Sequence, residues 1–174
     1  MSDSANENKF LSFRLEREEY GVEILRVREI IGVQDITPLP QTPDFVRGVI
    51  NLRGKIIAVI ELRRKFRLPE QAYTEQTCII VCEVADGPSG EHTEIGVIVD
   101  SVSEVLDIPR TQIEPAPRFG SSVNTDFILG MGKVKDQVLI LLDIDRVLAA
   151  GELTQIASAT DAAEPRPDAL PAAA

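Results

Sequence analysis

One histidine, His92, lies in the stretch GPSGEHTE. A serine or cysteine nucleophile needs a base beside it, and His92 is the only imidazole in the chain. Neither Cys78 nor Cys82 forms a recognisable motif with it. The two cysteines stand four apart in TCIIVCEV. On a strand, positions i and i+4 share a face about 13 Å apart, too far for a disulfide. They read as two buried thiols of a reducing compartment. No Cys or His spacing suits a metal. GMGK at 130–133 looks faintly like a phosphate loop, but no helix follows it and neither nucleotide-binding glycine fingerprint is present. Carboxylates are plentiful, yet none are paired in an arguable site. The chemistry-bearing residues therefore predict no catalytic residue, no metal and no cofactor. The expectation is a binding protein. A small-molecule-binding β-barrel is the alternative, and it lacks a convergent polar set.

Charge points to protein partners. The 174-residue chain has a formal net charge of −10, which argues against nucleic acid as the main ligand. Residues 45–67 run the other way: Arg47, Arg53, Lys55, Arg63, Arg64, Lys65 and Arg67 face only Glu61. A basic window on an acidic body suits oriented docking to a protein. Arg53 stands at the turn between two apolar runs, Phe45–Leu52 and Ile56–Leu62. It is either a solvated turn cation or a contact residue. The run RRKFR (63–67) is either a solvated helix face or a steering patch. The N-terminus, MSDSANENK, has no apolar signal core, and no aliphatic run approaches the roughly 20 residues of a membrane span. The expectation is a soluble, cytoplasmic protein without membrane insertion.

The elements that must position these residues are short strands. FLSFRL, EYGVEI, KIIAVIEL, TCIIVCEV, EIGVIVD and QVLILLDI are β-branched runs bounded by Gly, Pro or charge. Two helical segments are predicted, Glu61–Phe66 and Asp143–Ile156. Proline clusters at Pro38, Pro40, Pro43 and at Pro109, Pro115, Pro117 mark irregular connections. An internal repeat ties the pattern together. YGVEILRVREIIGV (20–33) lies over IGVIVDSVSEVLDI (95–108), with Gly21 on Gly96 and Glu29 on Glu104. FVRGVINLRGKIIAVIEL (45–62) lies over FILGMGKVKDQVLILLDI (127–144) without a gap, with Phe45 on Phe127 and Gly48 on Gly130. Two copies of one β unit predict two small barrels, which leave few sheet edges exposed. Disorder is expected over residues 1–8 and over the Ala/Pro-rich tail 158–174.

EYGVEILRVREI, TPDFVRGVINLRGKIIAVIELRRKF, IGVIVDSVSEVLDI and FILGMGKVKDQVLILLDIDRVL together resemble the CheW family of bacterial chemotaxis adaptors, over about residues 9–150. The resemblance implies a CheW-like domain over 9–152. It would be mainly all-β, with two five-stranded SH3-like barrels over roughly 15–70 and 76–145 and a hydrophobic groove between them. A related domain closes chemotaxis histidine kinases; the chain has no phosphorylatable histidine helix or ATP lid, and its length fits a free-standing adaptor. Such an adaptor joins the helical-hairpin tip of a chemoreceptor to the regulatory domain of the kinase CheA. It is monomeric alone, assembles with the kinase into arrays or rings, and catalyses nothing. By motif, receptor-binding positions fall on Val27, Arg53, Ile79, Gly96, Val105 and Gly130. Kinase-binding positions fall on Glu29, Ile30 and Gly54, and Gly48 is a structural glycine. The residues alone leave other readings open. Glycines often serve a positive φ or close backbone approach, and Val27, Ile30, Ile79 and Val105 are equally at home in a core.

Overall fold

The computed structural model describes residues 8–86, 91–116 and 127–147. They form eleven strands: β1 (Lys9–Leu15), β2 (Glu18–Glu23), β3 (Val27–Gly32), β4 (Val46–Leu52), β5 (Lys55–Glu61), β6 (Cys78–Asp86), β7 (Glu91–Val99), β8 (Ser101–Asp107), β9 (Ile113–Glu114), β10 (Ile128–Val134) and β11 (Gln137–Leu142). Two one-turn helices, α1 (Leu62–Lys65) and α2 (Ile144–Val147), follow β5 and β11 at repeat-equivalent places. The predicted extension of the second helix over 148–156, the segment 1–7, Pro117 and the tail 158–174 lie outside the described residues.

The strands make two sheets, ordered β8-β1-β2-β11-β10-β9 and β3-β6-β7-β5-β4. The fold is thus mainly β, as expected, but the lobes do not divide the chain at 70–76. One lobe takes β3 to β7. The other takes β1 and β2 together with β8 to β11. Each sheet joins a hairpin from one repeat to strands of the other: β6 and β7 join three strands of the first, and β1 and β2 join four of the second. The exchange is symmetric in register: Leu141 sits opposite Gly21 in the parallel pair β11·β2, and Val59 sits opposite Gly96 in the parallel pair β5·β7. A repeat is visible in sequence. Which copy a hairpin pairs with is decided by non-local contacts, and that choice set the boundaries differently from the expectation.

Three apolar clusters follow from strand alternation. Ile50, Ile57, Val59, Ile79, Val81 and Ile98 fill the five-stranded lobe. Phe10, Ile108, Leu139 and Leu141 fill the six-stranded one. The largest cluster lies between the sheets and includes Leu11, Phe13, Val22, Ala58, Ile60, Ile80, Cys82, Val97 and Leu142. This inter-lobe seam is why β5 and β6 read as unbroken apolar runs: both of their faces are covered. Odd positions of β6 enter the lobe and even ones the seam. Among the described residues the expected open groove is therefore a packed seam. A ladder of stacked rings, Phe13 on Tyr20, Tyr20 on Phe66 and Phe66 on Phe127, joins residues of both repeats, with centroids 5.8, 5.8 and 4.8 Å apart.

Candidate functional site

The β4–β5 turn is a two-residue connection flanked by the Leu52/Lys55 pair. Arg53 and Gly54 both have positive φ, 56° and 87°, the geometry of a type I′ hairpin. The Gly54 N–H donates to Asn51 Oδ1 at 2.8 Å. In the second repeat Lys135 and Asp136 take the same places, at φ 50° and 65°. What distinguishes the first turn is its side chain: Arg53 Nη2 donates to Glu29 Oε2 at 2.8 Å. Arg53 is 77% exposed. One predicted receptor contact and one predicted kinase contact therefore form a single surface ion pair.

Ile30 and Val105 occupy equivalent positions on the edge strands β3 and β8. Ile30 lies opposite Ile80, and Val105 opposite Leu11. Both partners belong to the inter-lobe seam, and cross-strand neighbours share a face. The seam's face thus continues onto Ile30 and Val105, where cover ends: they are 44% and 50% exposed. Val27, opposite Cys82, is half-buried against the seam.

Other predicted contacts lie inside the molecule. Ile79 has no exposed surface and points into the five-stranded lobe, so its assignment to a receptor surface is corrected. Gly96 is buried, and a Cβ there would stand 2.7 Å from Ile79 Cγ2. Gly130 is buried against Ile113 and the Glu114 carbonyl. Both glycines permit close strand packing and present no surface to a receptor. Gly48 has φ 144°, and a Cβ would collide with the Thr37 carbonyl.

The basic window also changes character. Lys55 bonds Glu94 at 2.9 Å and Arg64 bonds Glu70 at 2.5 Å. Lys65 Nζ sits 4.4 Å above the Phe45 ring centroid. Arg47 approaches Glu61 at 3.8 Å and lies against the Tyr73 ring. Arg63 is only 4% exposed. Its guanidinium, hydrogen-bonded by Asp100 and then Glu16, is held above its ordinary pKa in spite of burial. RRKFR is thus neither a solvated helix face nor a free cationic patch. Carboxylates from elsewhere in the chain neutralise most of the window.

A cleft of about 340 Å³ is lined by Arg47, Glu61, Arg63, Arg64 and Tyr73. The buried Arg47 Nε has no hydrogen-bond partner among the described residues, while the Tyr73 hydroxyl donates to Glu61 at 2.7 Å. Burial first, then that bond, push the Tyr73 phenol up to about 12. Burial likewise pushes the Cys82 thiol up to about 12. Among the described residues no group of His, Cys, Asp and Glu could hold a metal ion, and no helix is long and apolar enough to cross a membrane.

Paired β-lobes around a shared seam, with apolar edge positions beside an exposed ion pair, define an interaction module. The comparisons make this particular: the CheW-like domain model matches residues 9–152. The chain is 40% identical over 148 residues to "Chemotaxis protein CheW" of Klebsiella aerogenes, covering 85% of this chain and 86% of that one. It is 28% identical over 153 residues to "Protein FrzA" of Myxococcus xanthus, covering 87% and 91%. Among solved structures it resembles the scaffolding protein TtCheW of Thermoanaerobacter tengcongensis, with a TM-score of 0.73, 34% identity, and coverage of 83% and 94%. The chain belongs to the CheW-like domain family. This is a family of chemotaxis adaptors and scaffolds, not enzymes, that couples chemoreceptors to the kinase CheA.

Proposed function

We propose that receptor and kinase meet this adaptor where the face of the inter-lobe seam emerges at its two edge strands. The cytoplasmic tip of a chemoreceptor, a helical hairpin, docks on the side of Val105, and it reaches Val27 and Arg53 only where it borders the β3 edge, at which Arg53 is bonded to Glu29. The regulatory domain of CheA docks on the side of Ile30, Glu29 and Gly54. The protein acts in the cytoplasm, recruited to membrane-associated receptor arrays. It is a monomer alone and is assembled with the kinase in arrays or rings.

The observation that carries this reading is the pair Ile30 and Val105. Large apolar side chains about half exposed, at equivalent positions on unpaired strand edges, are the places a fold leaves for a partner. Arg53 and Glu29 sit beside the first edge and supply orientation more than affinity. A pull-down with a receptor cytoplasmic fragment and the CheA regulatory domain tests the proposal. Capture of both supports it; capture of neither contradicts it. An adaptor of a parallel chemosensory system, controlling surface motility or another output, is the second reading, supported by the similarity that reaches FrzA. Exchanging the kinase fragment in the same assay separates the two.

A further inference from the structure

The chain crosses between its sheets at two places that the repeat makes equivalent. The first crossing, from β2 to β3, runs through a 3₁₀ turn at Ile24–Arg26. The second, from β7 to β8, is the single residue Asp100. Each crossing is gripped by the short helix that ends the other repeat's last hairpin. Arg63 of α1 grips the second crossing, with Nε to Asp100 Oδ1 at 2.7 Å and Nη2 to Asp100 Oδ2 at 2.5 Å. The remaining guanidinium N–H groups go to Glu16, to the Pro69 carbonyl at 2.7 Å, and to Gln71, so all five of its donors are engaged. Asp145 of α2 grips the first crossing through both guanidinium ends of Arg26.

Arg63 and Asp145 lie on each other in the repeat alignment, and so the two grips have opposite polarity. One feature is preserved through that reversal. Asp100 accepts the Glu16 N–H at 2.9 Å, and Asp145 accepts the Ala85 N–H at 2.8 Å. Glu16 and Ala85 occupy corresponding places, each four residues after the hairpin partner of Gly21 or Gly96, Ser12 and Val81. Each crossing is also the root of a docking strand. Arg26 immediately precedes β3, which carries Glu29 and Ile30. Asp100 immediately precedes β8, which carries Val105.

We propose that Asp145 and Arg63 are partner-selective positioning residues: Asp145 sets the kinase-facing strand β3 and Arg63 sets the receptor-facing strand β8. The proposal rests on the adaptor reading for its partners, but not for its geometry. Neither residue touches a partner. Each fixes where an edge strand leaves the seam, and with it the direction in which that strand presents its exposed side chain.

The full chain is tested as Asp145→Asn and as Arg63→Met, at a temperature where both are folded by circular dichroism. Asp145→Asn should weaken binding of the CheA regulatory domain by about tenfold and move receptor-fragment binding by less than about threefold. Arg63→Met should do the reverse. The exchanged pair Arg26→Asp with Asp145→Arg should restore kinase binding. Equal losses toward both partners, or no loss toward either, would overturn the assignment. Hydrogen exchange reports on the geometry independently of any partner. Amides of Val27–Gly32 should lose protection in Asp145→Asn, and those of Ser101–Asp107 in Arg63→Met. A uniform change across both sheets would overturn the clamp itself. Selective exchange in a protein that captures neither partner would leave the clamp standing and remove the adaptor reading.

Discussion

The β4–β5 and β10–β11 hairpins are the same object built twice. They have matched registers, the same two-residue turn and a one-turn helix after each second strand. They differ in what they carry. The first turn places Arg53 against Glu29 of an edge strand, while the second carries Lys135 and Asp136 at the same two turn positions. The difference teaches which features belong to the fold and which are free for use. Apolar alternation and two positive φ values recur, so the fold requires them. A cation recurs at the tip as Lys135, but the ion pair to an edge strand does not recur among the described residues, so the fold does not require that pair.

The comparison can be broken most forcefully at Gly48 and Gly130. Gly48 combines φ 144° with a collision against backbone, whereas the obstacles at Gly130 are the Ile113 side chain and the Glu114 carbonyl of the two-residue strand β9. Gly48→Ala should destabilise by about 2–5 kcal/mol through strain and overpacking together. Gly130→Ala should stay within about 1–3 kcal/mol. Urea unfolding of both variants checks the order, and equal losses would mean that the lobes are more alike than their backbones indicate.

The crossings come next. Arg63→Met leaves Asp100 and Glu16 facing each other without their cation, for a loss of about 3 kcal/mol. Asp145→Asn, at a clamp 26–29% exposed, should lose about 1 kcal/mol. Thermal melts of the two variants give the ranking directly.

Tyr73 sharpens the comparison through pH, because the position equivalent to Glu61 is Asp143, which carries no tyrosine bond of this kind among the described residues. The folded phenol titrates at about 12, above its ordinary 10.0. Its bond to Glu61 therefore contributes fully below pH 10 and is lost as pH rises toward 12. Tyr73→Phe should be less stable than the parent by about 1 kcal/mol at pH 8, at the low end because the ring is partly exposed. That gap should close between pH 10 and 12 in matched urea titrations.

The smallest stability effects belong to the tips. Arg53→Ala and Lys135→Ala should each change stability by less than about 0.5 kcal/mol. Only Arg53→Ala should weaken capture of the receptor fragment, as surface plasmon resonance would show.

Much of this was legible in the chain. Short β-branched runs gave strands, and the gapless match of 45–62 to 127–144 gave equivalent hairpins ending in equivalent helices. The exchange of hairpins was not legible, because pairing β1 with β8 and β6 with β3 is a choice between two chemically similar edges. Ile79 was misplaced for a related reason. In CIIVCEV both faces of the strand are covered, so no polar alternation says which residues enter the lobe and which the seam. The crossings were hidden by opposite charge: Arg63 and Asp145 are equivalent in place and unlike in chemistry. The basic window misled because the carboxylates that neutralise it, Glu29, Glu94 and Asp100 among them, lie far away in sequence.

The central claim is that two equivalent edges of one seam serve two different partners. It is tested most directly by measuring binding of the receptor fragment and of the CheA regulatory domain to Ile30→Asp and Val105→Asp. Ile30→Asp should lose the kinase domain and keep the receptor, and Val105→Asp should lose the receptor and keep the kinase domain, both with melts near the parent's. Two variants that bind both partners as the parent does would contradict the account.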